Sequence, residues 1–254
     1  MDVDDRSAGP VSDEFRNVYD DDARADAYAS LEFPNTYWLA YRDLPEIVRT
    51  WAPGRRALDF GCGAGRSTRF LRGLGFEVTG ADIAAEMLDR ARAADPGGDY
   101  RLVADGDVSM LPAAAYDLVQ SVFTFDNVPG LERKVALFAG LRARLAPGGR
   151  LVSLVSSPDI YTHEWASFST KQFAGNFTAR DGDPVYTVML DVPDRRPVRD
   201  ELCTDARYRE IYARAGLRVL DERRPLGRAD EPFAWVSETT VAPWVIWVLE
   251  ADGT

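Results

Sequence analysis

Ala57-Leu58-Asp59-Phe60-Gly61-Cys62-Gly63-Ala64-Gly65-Arg66-Ser67 is the stretch on which the reading of this chain turns. Arg56 to Phe60 is a short apolar run that predicts a strand, and Arg66 to Leu74 predicts a helix. Three glycines in alternate positions join them. Glycine is needed where φ is positive or where backbone must lie against a ligand. The free N–H groups at a helix start offer donors to an anionic group. The loop departs from the dinucleotide fingerprint G-x-G-x-x-G, because Arg66 takes the third glycine's place and Gly65 comes one position early. It also departs from the triphosphate-binding loop, since no Gly-Lys-Ser/Thr follows.

Outward from this loop, strands alternate with helices. Upstream, Tyr37, Tyr41, Leu44 and Val48 share a helical face, with Pro45 either breaking that helix or starting its second half. Downstream, a strand at Phe76 to Gly80 precedes a helix carrying Ala84, Met87, Leu88 and Ala91 on one face. Strands follow at Tyr100 to Val103 and Tyr116 to Val122. A helix striped by Leu131, Val135, Phe138, Leu141 and Leu145 is expected to stop at Pro147-Gly148-Gly149, with a strand at Leu151 to Val155. From Ser156 to Arg199 the pattern lapses into an aromatic, irregular segment with one strand at Val185 to Leu190. Thr204 or Asp205 then caps a helix facing inward through Tyr208, Ile211, Tyr212 and Ala215, and Gly216 ends it. Leu217 to Leu220 and Trp244 to Leu249 read as an antiparallel pair with a long loop. Strand–helix alternation implies an α/β, Rossmann-like, doubly wound sheet with ligands beyond the carboxyl ends of its strands.

Composition sets outer bounds. Hydrophobic residues make up 46% and charged residues 28%, as in a soluble globular protein. A formal net charge of -11 repels a polyanion, so nucleic acid is not expected as a partner. Two cysteines, Cys62 and Cys203, make neither a disulfide framework nor a zinc pattern. No apolar run reaches spanning length, so no membrane is expected and the cytoplasm is the expected compartment. The division expected is a disordered leader at 1–12 and one domain at 13–254. Within it lie a helical lid (13–52), a cofactor-binding core (53–156), a substrate-side insertion (157–199) and the remaining part of the sheet (200–254).

The stretch from Ala57 to Ser67 resembles the first motif of class I S-adenosylmethionine-dependent methyltransferases. Further stations fall in order: Gly80-Ala81-Asp82, Asp107-Val108-Ser109-Met110-Leu111-Pro112, Tyr116-Asp117-Leu118-Val119, and Leu145-Ala146-Pro147-Gly148-Gly149. The resemblance covers Ala57 to Ser156 well and the last strands loosely. It implies a mostly parallel seven-stranded sheet with its last strand antiparallel, S-adenosylmethionine as cofactor, and Gly61, Gly63 and Gly65 as the cradle of its amino-acid end. It also implies that Asp82, with Ile83 beside it, meets the ribose hydroxyls, a good bidentate pairing. Asp107 and the backbone N–H of Val108 would read adenine. The amino group would meet the carbonyl of Cys62 or Phe123 and, through water, Asp59. Arg66 is the candidate for the cofactor's carboxylate, and Tyr28 for a lid contact over the methionine end.

The chemistry such a cofactor allows is in-line displacement of a methyl group, which needs alignment, exclusion of water and, for some acceptors, a base. His163, the single histidine, is the first candidate base because imidazole titrates in the useful range. Glu164 would orient it or act alone. Tyr37, Trp38, Asp126, Trp165 and Tyr186 are expected at the acceptor, with Phe168 and Phe173 as further aromatic candidates, which suits a flat or apolar small molecule. No metal is expected, for want of a ligand set. Rival readings are cyclase or decarboxylase chemistry on the same cofactor, a non-catalytic cofactor-binding partner protein, and a nicotinamide oxidoreductase, which Arg66 disfavours.

Overall fold

The computed structural model describes residue 31 and residues 34–253. Two short helices come first, α1 (Thr36–Arg42) and α2 (Leu44–Trp51), with Pro45 in the first turn of the second. Of the two outcomes open at Pro45, the chain takes the start of a second helix. Proline there loses no helix bond, because the first-turn N–H groups have no intrahelical acceptor.

The main sheet contains β1 (Arg56–Phe60), β2 (Glu77–Asp82), β3 (Asp99–Leu102), β4 (Tyr116–Val122), β5 (Leu145–Ser156), β9 (Leu217–Arg223) and β10 (Trp244–Ala251). Its seven strands run in the order β3-β2-β1-β4-β5-β10-β9, and β10 alone is antiparallel to its neighbours β5 and β9. Strand order reverses between β1 and β4, where doubly wound sheets open a ligand crevice. Between these strands lie α3 (Arg66–Gly73), α4 (Ala85–Ala94), α5 (Leu131–Arg142) and α6 (Asp205–Arg214).

Period-two alternation divides the core. Ala57, Leu118, Val152 and Ile246 pack in one cluster with Leu39, Ile47 and Leu71. Their neighbours Leu58, Val119, Leu151 and Trp247 pack in the other with Phe138, Leu141, Tyr208 and Ile211. Successive side chains of a strand point to opposite faces. The lid helices and α3 therefore cover one face, and α5 and α6 the other.

Two sequence expectations shift. Leu145 is the first residue of β5 and not the last of a helical stripe, since α5 ends at Arg142. Pro147-Gly148-Gly149 lies inside that strand as an irregularity, with the register moving from Tyr116↔Leu145 to Leu118↔Arg150. The segment after β5 is also more regular than its sequence. A second, antiparallel sheet forms from β6 (Phe168–Ser169), β7 (Pro184–Met189) and β8 (Val198–Glu201).

This small sheet is tied to the lid. Glu238, fully buried, accepts hydrogen bonds from Thr36 Oγ1 (2.6 Å), the Ala166 N–H (2.8 Å) and the Val236 N–H (2.7 Å). The Thr36 N–H donates to Ser167 Oγ at 3.0 Å. Three segments distant in sequence thus share one carboxylate, and they roof the carboxyl end of the sheet.

Candidate active site

The glycine loop hangs from the second strand: the N–H groups of Gly61 and Cys62 both donate to the Ala81 carbonyl, at 2.7 and 3.1 Å. Gly61 has φ +73°, and a Cβ there would lie 2.0 Å from Thr124 Oγ1. Both the backbone conformation and the close approach of the loop after β4 demand glycine. Gly65 precedes α3 with φ +80°, and a Cβ on it would meet Tyr100 Oη at 2.5 Å.

Asp82 closes this loop. Its Oδ2 accepts from the Gly63 N–H (2.8 Å) and its Oδ1 from the Ala84 N–H (2.9 Å). Burial raises its carboxyl above the usual range, against the pull of these backbone donors. A cavity runs past Gly61, Gly63, Asp82, Ile83, Gly106 and Phe123. It lies at the carboxyl ends of β1, β2 and β4. Its ionisable lining is Asp82, Asp105 and Arg133, two carboxylates and one guanidinium, a charge balance that suits ribose hydroxyls and not a diphosphate. These residues fit S-adenosylmethionine: the glycine cradle excludes a side chain, and Asp82 sits where hydroxyls would reach it.

Other expected cofactor residues take different positions. Asp59 is fully buried behind the loop and does not line the cavity. Its Oδ2 accepts from Ser67 Oγ (2.6 Å) and Thr68 Oγ1 (2.7 Å), which fixes the start of α3 under the glycines. Burial outweighs those hydroxyls and pushes it up to about 6. Cys62 and Arg66 share a recess beside the glycines with Tyr41 and Ser67. The Arg66 guanidinium lies over the rings of Tyr37 (5.4 Å) and Tyr41 (5.7 Å) and donates to the Leu31 carbonyl at 3.1 Å. Asp107 does not line the cavity and is exposed. Its carboxylate accepts from the Ser109 N–H (2.8 Å) and Ser109 Oγ (2.9 Å), capping a short 3₁₀ turn, and Val108 is buried in the core. Asp105 and Gly106 line the cavity in their stead. The chain turns there through left-handed backbone, φ +51° at Asp105 and +77° at Gly106, which rotates the later pair outward. Tyr28 lies outside the described residues.

Phe123 and Asn127 line both this cavity and a second one beyond it. Phe123 holds φ +60°, rare for a bulky residue and costing roughly 1–3 kcal/mol. Its N–H donates to the Leu154 carbonyl at 2.9 Å. In the second cavity its ring packs 4.6 Å from Trp244 and 5.8 Å from Tyr37. Phe168 completes a cluster with Tyr37 (5.2 Å) and Trp244 (5.7 Å).

The far side of that cavity carries two carboxylates, Asp126 and Asp200, with Tyr161. Asp126 accepts from Ser156 Oγ (2.9 Å) and the Ser156 N–H (3.1 Å). Asp200 accepts from Tyr161 Oη at 3.2 Å. Burial raises both carboxyls, and for Asp126 repulsion from Asp200 adds to it, while Lys134 opposes the rise in each. Such a pair holds a proton at a pH where exposed carboxylates hold none. Among the described residues, no three His, Cys, Asp or Glu side chains gather as a metal-binding group, and no helix is long and apolar enough to cross a membrane.

The structure therefore brings the acceptor candidates Tyr37, Asp126 and Phe168 together at the second cavity, beside Phe123, and separates them from Trp38, Trp165, Phe173 and Tyr186. His163 and Glu164 line neither cavity. His163 Nδ1 lies 3.1 Å from the Asp159 carbonyl. Glu164 accepts from the Thr170 N–H (2.7 Å) and Thr170 Oγ1 (3.0 Å), and pairs with Lys171 at 3.6 Å. Trp165 is buried as packing, its Nε1 donating to the Ile160 carbonyl at 2.9 Å. Trp38 Nε1 donates to Glu231 Oε1 (3.3 Å) on the outer face, and Tyr186 stacks with Phe173 in a separate surface recess. Asp200, Tyr161 and Trp244 carry no local signature and escape sequence reading. Only the pairing Val185↔Asp200 brings the second carboxylate to the site.

Residues 58–153 match the family model described as a methyltransferase domain. Among curated proteins, the chain is 33% identical over 129 residues to a malonyl-[acyl-carrier protein] O-methyltransferase of Enterobacter lignolyticus, covering 50% of each chain. It is 32% identical over 126 residues to a ubiquinone biosynthesis O-methyltransferase of Burkholderia thailandensis, covering 46% of this chain and 53% of that one. The chain thus spans about half the length of these relatives. Among solved structures it shares the fold of an S-adenosylmethionine-dependent methyltransferase from Mesorhizobium loti (TM-score 0.57, 23% identity, 84% of this chain and 97% of that one). It also shares the fold of one from Clostridium acetobutylicum (TM-score 0.58, 13% identity, 93% and 97%).

Proposed function

We propose that this chain, whose residues 58–153 match the model of a methyltransferase domain, is a class I S-adenosylmethionine-dependent methyltransferase that moves a methyl group to a small molecule seated beyond Phe123. The observation that carries this reading is the pair of adjoining cavities sharing Phe123 and Asn127. One has a glycine cradle and a strand-end carboxylate, and the other has aromatic walls and buried acids.

Bound S-adenosylmethionine supplies an electrophilic methyl group on a sulfonium. Gly61 and Gly63 would hold its amino-acid end, Asp82 would take the ribose hydroxyls, and the turn at Asp105 and Gly106 would border the base. Phe123 sets the aperture between the cavities through its fixed left-handed backbone. Tyr37, Phe168 and Trp244 exclude water from the acceptor side, which strengthens every charge interaction there. Asp126, raised by burial and by Asp200, is the group suited to receive a proton from the acceptor. The family match ends at residue 153, before Tyr161, Phe168, Asp200 and Trp244. The acceptors named for the curated relatives therefore do not transfer to this cavity.

Calorimetry with S-adenosylhomocysteine tests the reading. Binding with a raised melting temperature is expected, since a ligand bound only by the native state stabilises it. Stabilisation by NAD and none by S-adenosylhomocysteine would overturn it.

A further inference from the structure

We infer that the acceptor enters the second cavity as an ammonium group, gripped by Asp126 and Asp200 in a space bordered by the rings of Tyr37, Phe123 and Trp244. The inference rests on the methyltransferase reading and names the class of acceptor: a primary or secondary amine.

Three observations on the cavity lead there. Asp126 and Asp200 are only 6% and 9% exposed, and among the described residues no lysine or arginine lines the cavity with them. The cation that acts on both, Lys134, is spent on Glu201 at 2.7 Å. Two buried carboxyls facing one small cavity either share a proton or are completed by a positive ligand.

Their hydrogen bonding is also unequal. Both oxygens of Asp126 are engaged by Ser156, at 2.9 to 3.1 Å. Among the described residues the carboxylate of Asp200 accepts from Tyr161 Oη alone, through Oδ2. A carboxylate accepts about four hydrogen bonds, so Oδ1 of Asp200 retains capacity for an N–H donor. A hydroxyl acceptor offers one proton to this pair, whereas an ammonium offers two or three and a full charge.

The walls suit the same guest. Tyr37 stacks on Trp244 at 6.0 Å and Phe123 lies 4.6 Å from it. The Tyr37 ring already carries one cation, the Arg66 guanidinium at 5.4 Å, and an anionic acceptor would meet both the aromatic π-clouds and the acids.

The step balances without another reactant. The ammonium gives one proton to a carboxylate of the pair and becomes a neutral amine. Its lone pair forms the new N–C bond as the methyl's C–S bond breaks, and that bond's electrons stay on sulfur, which becomes a neutral thioether. The product is an N-methylammonium, still cationic and still complementary to the acids until it leaves. The carboxyl proton then passes to solvent.

The test uses the full chain saturated with S-adenosylhomocysteine, titrated with n-butylamine and, separately, n-butanol, with tryptophan fluorescence and calorimetry as readouts. At neutral pH the amine is expected to bind at least tenfold tighter than the alcohol. Asp200→Asn is expected to bring the two within threefold while S-adenosylhomocysteine affinity stays unchanged. Equal or weaker binding of the amine in the unaltered chain, or no amine binding, overturns the inference whether or not the variant folds. An amine preference that survives in a folded Asp200→Asn chain also overturns it. Failure of S-adenosylhomocysteine to bind at all would instead strike the methyltransferase reading, so the two failures are distinct.

Discussion

The two cavities are built by opposite strategies. The cofactor side uses contiguous sequence: a glycine loop, one aspartate at a strand end, and a turn a few residues past β3. Its polar contacts are mostly backbone donors to one carboxylate, as in Asp82 with the N–H groups of Gly63 and Ala84. The acceptor side draws its groups from α1, from the residues after β4, from the irregular segment, from β8 and from β10. Its contacts are side chain to side chain across long gaps in sequence. A backbone-built site constrains its residues through conformation, as the positive φ of Gly61 does here. A side-chain-built site is tuned by single substitutions, and under the proposed function acceptor choice would reside there.

The largest break in this contrast comes from the acceptor side. Asp126→Asn is expected to lower turnover by roughly 10²–10⁴-fold, the usual worth of a positioned proton acceptor, with S-adenosylhomocysteine affinity unchanged by calorimetry. A parallel fall in cofactor affinity would show that the two cavities are not separable. On the other side, Asp82→Ala is expected to weaken S-adenosylhomocysteine by roughly a hundredfold, for the loss of charge-assisted hydrogen bonds worth about 1.5–3 kcal/mol each. Unchanged affinity would remove this carboxylate from the ribose.

Gly61→Ala probes the cradle itself. Its positive φ and the 2.0 Å approach of Thr124 predict a loss of about 1–3 kcal/mol, measured by denaturant titration, and a further loss of cofactor affinity. A chain of normal stability would contradict the geometry.

Acidity produces a smaller effect. Asp59 is raised from 3.8 to about 6 by burial, so the folded state holds its proton more tightly than the unfolded one. Its stabilising contribution is complete below the unfolded value and is lost as pH rises through the folded one. Asp82, Asp126 and Asp200 shift in the same direction. Scanning calorimetry should therefore find a higher melting temperature near pH 5.5 than near pH 7.5. Asp59 alone supplies about 1 kcal/mol, or roughly 2–4 °C. A lower melting temperature at the acidic value would mean that the buried carboxyls do not govern this range. The least effect is expected from His163→Ala, which should leave turnover near that of the unaltered chain in a methyl-transfer assay. A large fall would return the base to the loop after β5.

The same contrast explains what could be read in the sequence. Strands β1, β2 and β4 and the helices between them were legible because each writes its own periodicity, and Gly61, Gly63 and Asp82 because they sit at fixed offsets from strand ends. The turn after β3 was legible only to within two residues. Asp107 and Asp105 look alike in sequence, and only left-handed backbone at 105 and 106 decides which faces the cavity. The insertion sheet stayed hidden because β6 has two residues and β8 four, too few to show alternation. Asp200 reads as one charge among many, and its burial is a product of pairing with Val185 and packing under the lid.

Glu238 gives the acceptor chamber a distinctive place in the molecule's energetics. The bonds it makes to Thr36 and Ala166 join positions 202 and 72 residues away, whereas neighbouring strands such as β1 and β2 pair across far shorter loops. Closing such wide circuits comes late in folding and is undone early, since each depends on most of the chain being in place. Amide protons at residues 36, 166 and 167 should thus exchange through a partial opening that leaves the central strands protected. Under the proposed function, that opening would let the acceptor exchange while the cofactor side stays folded.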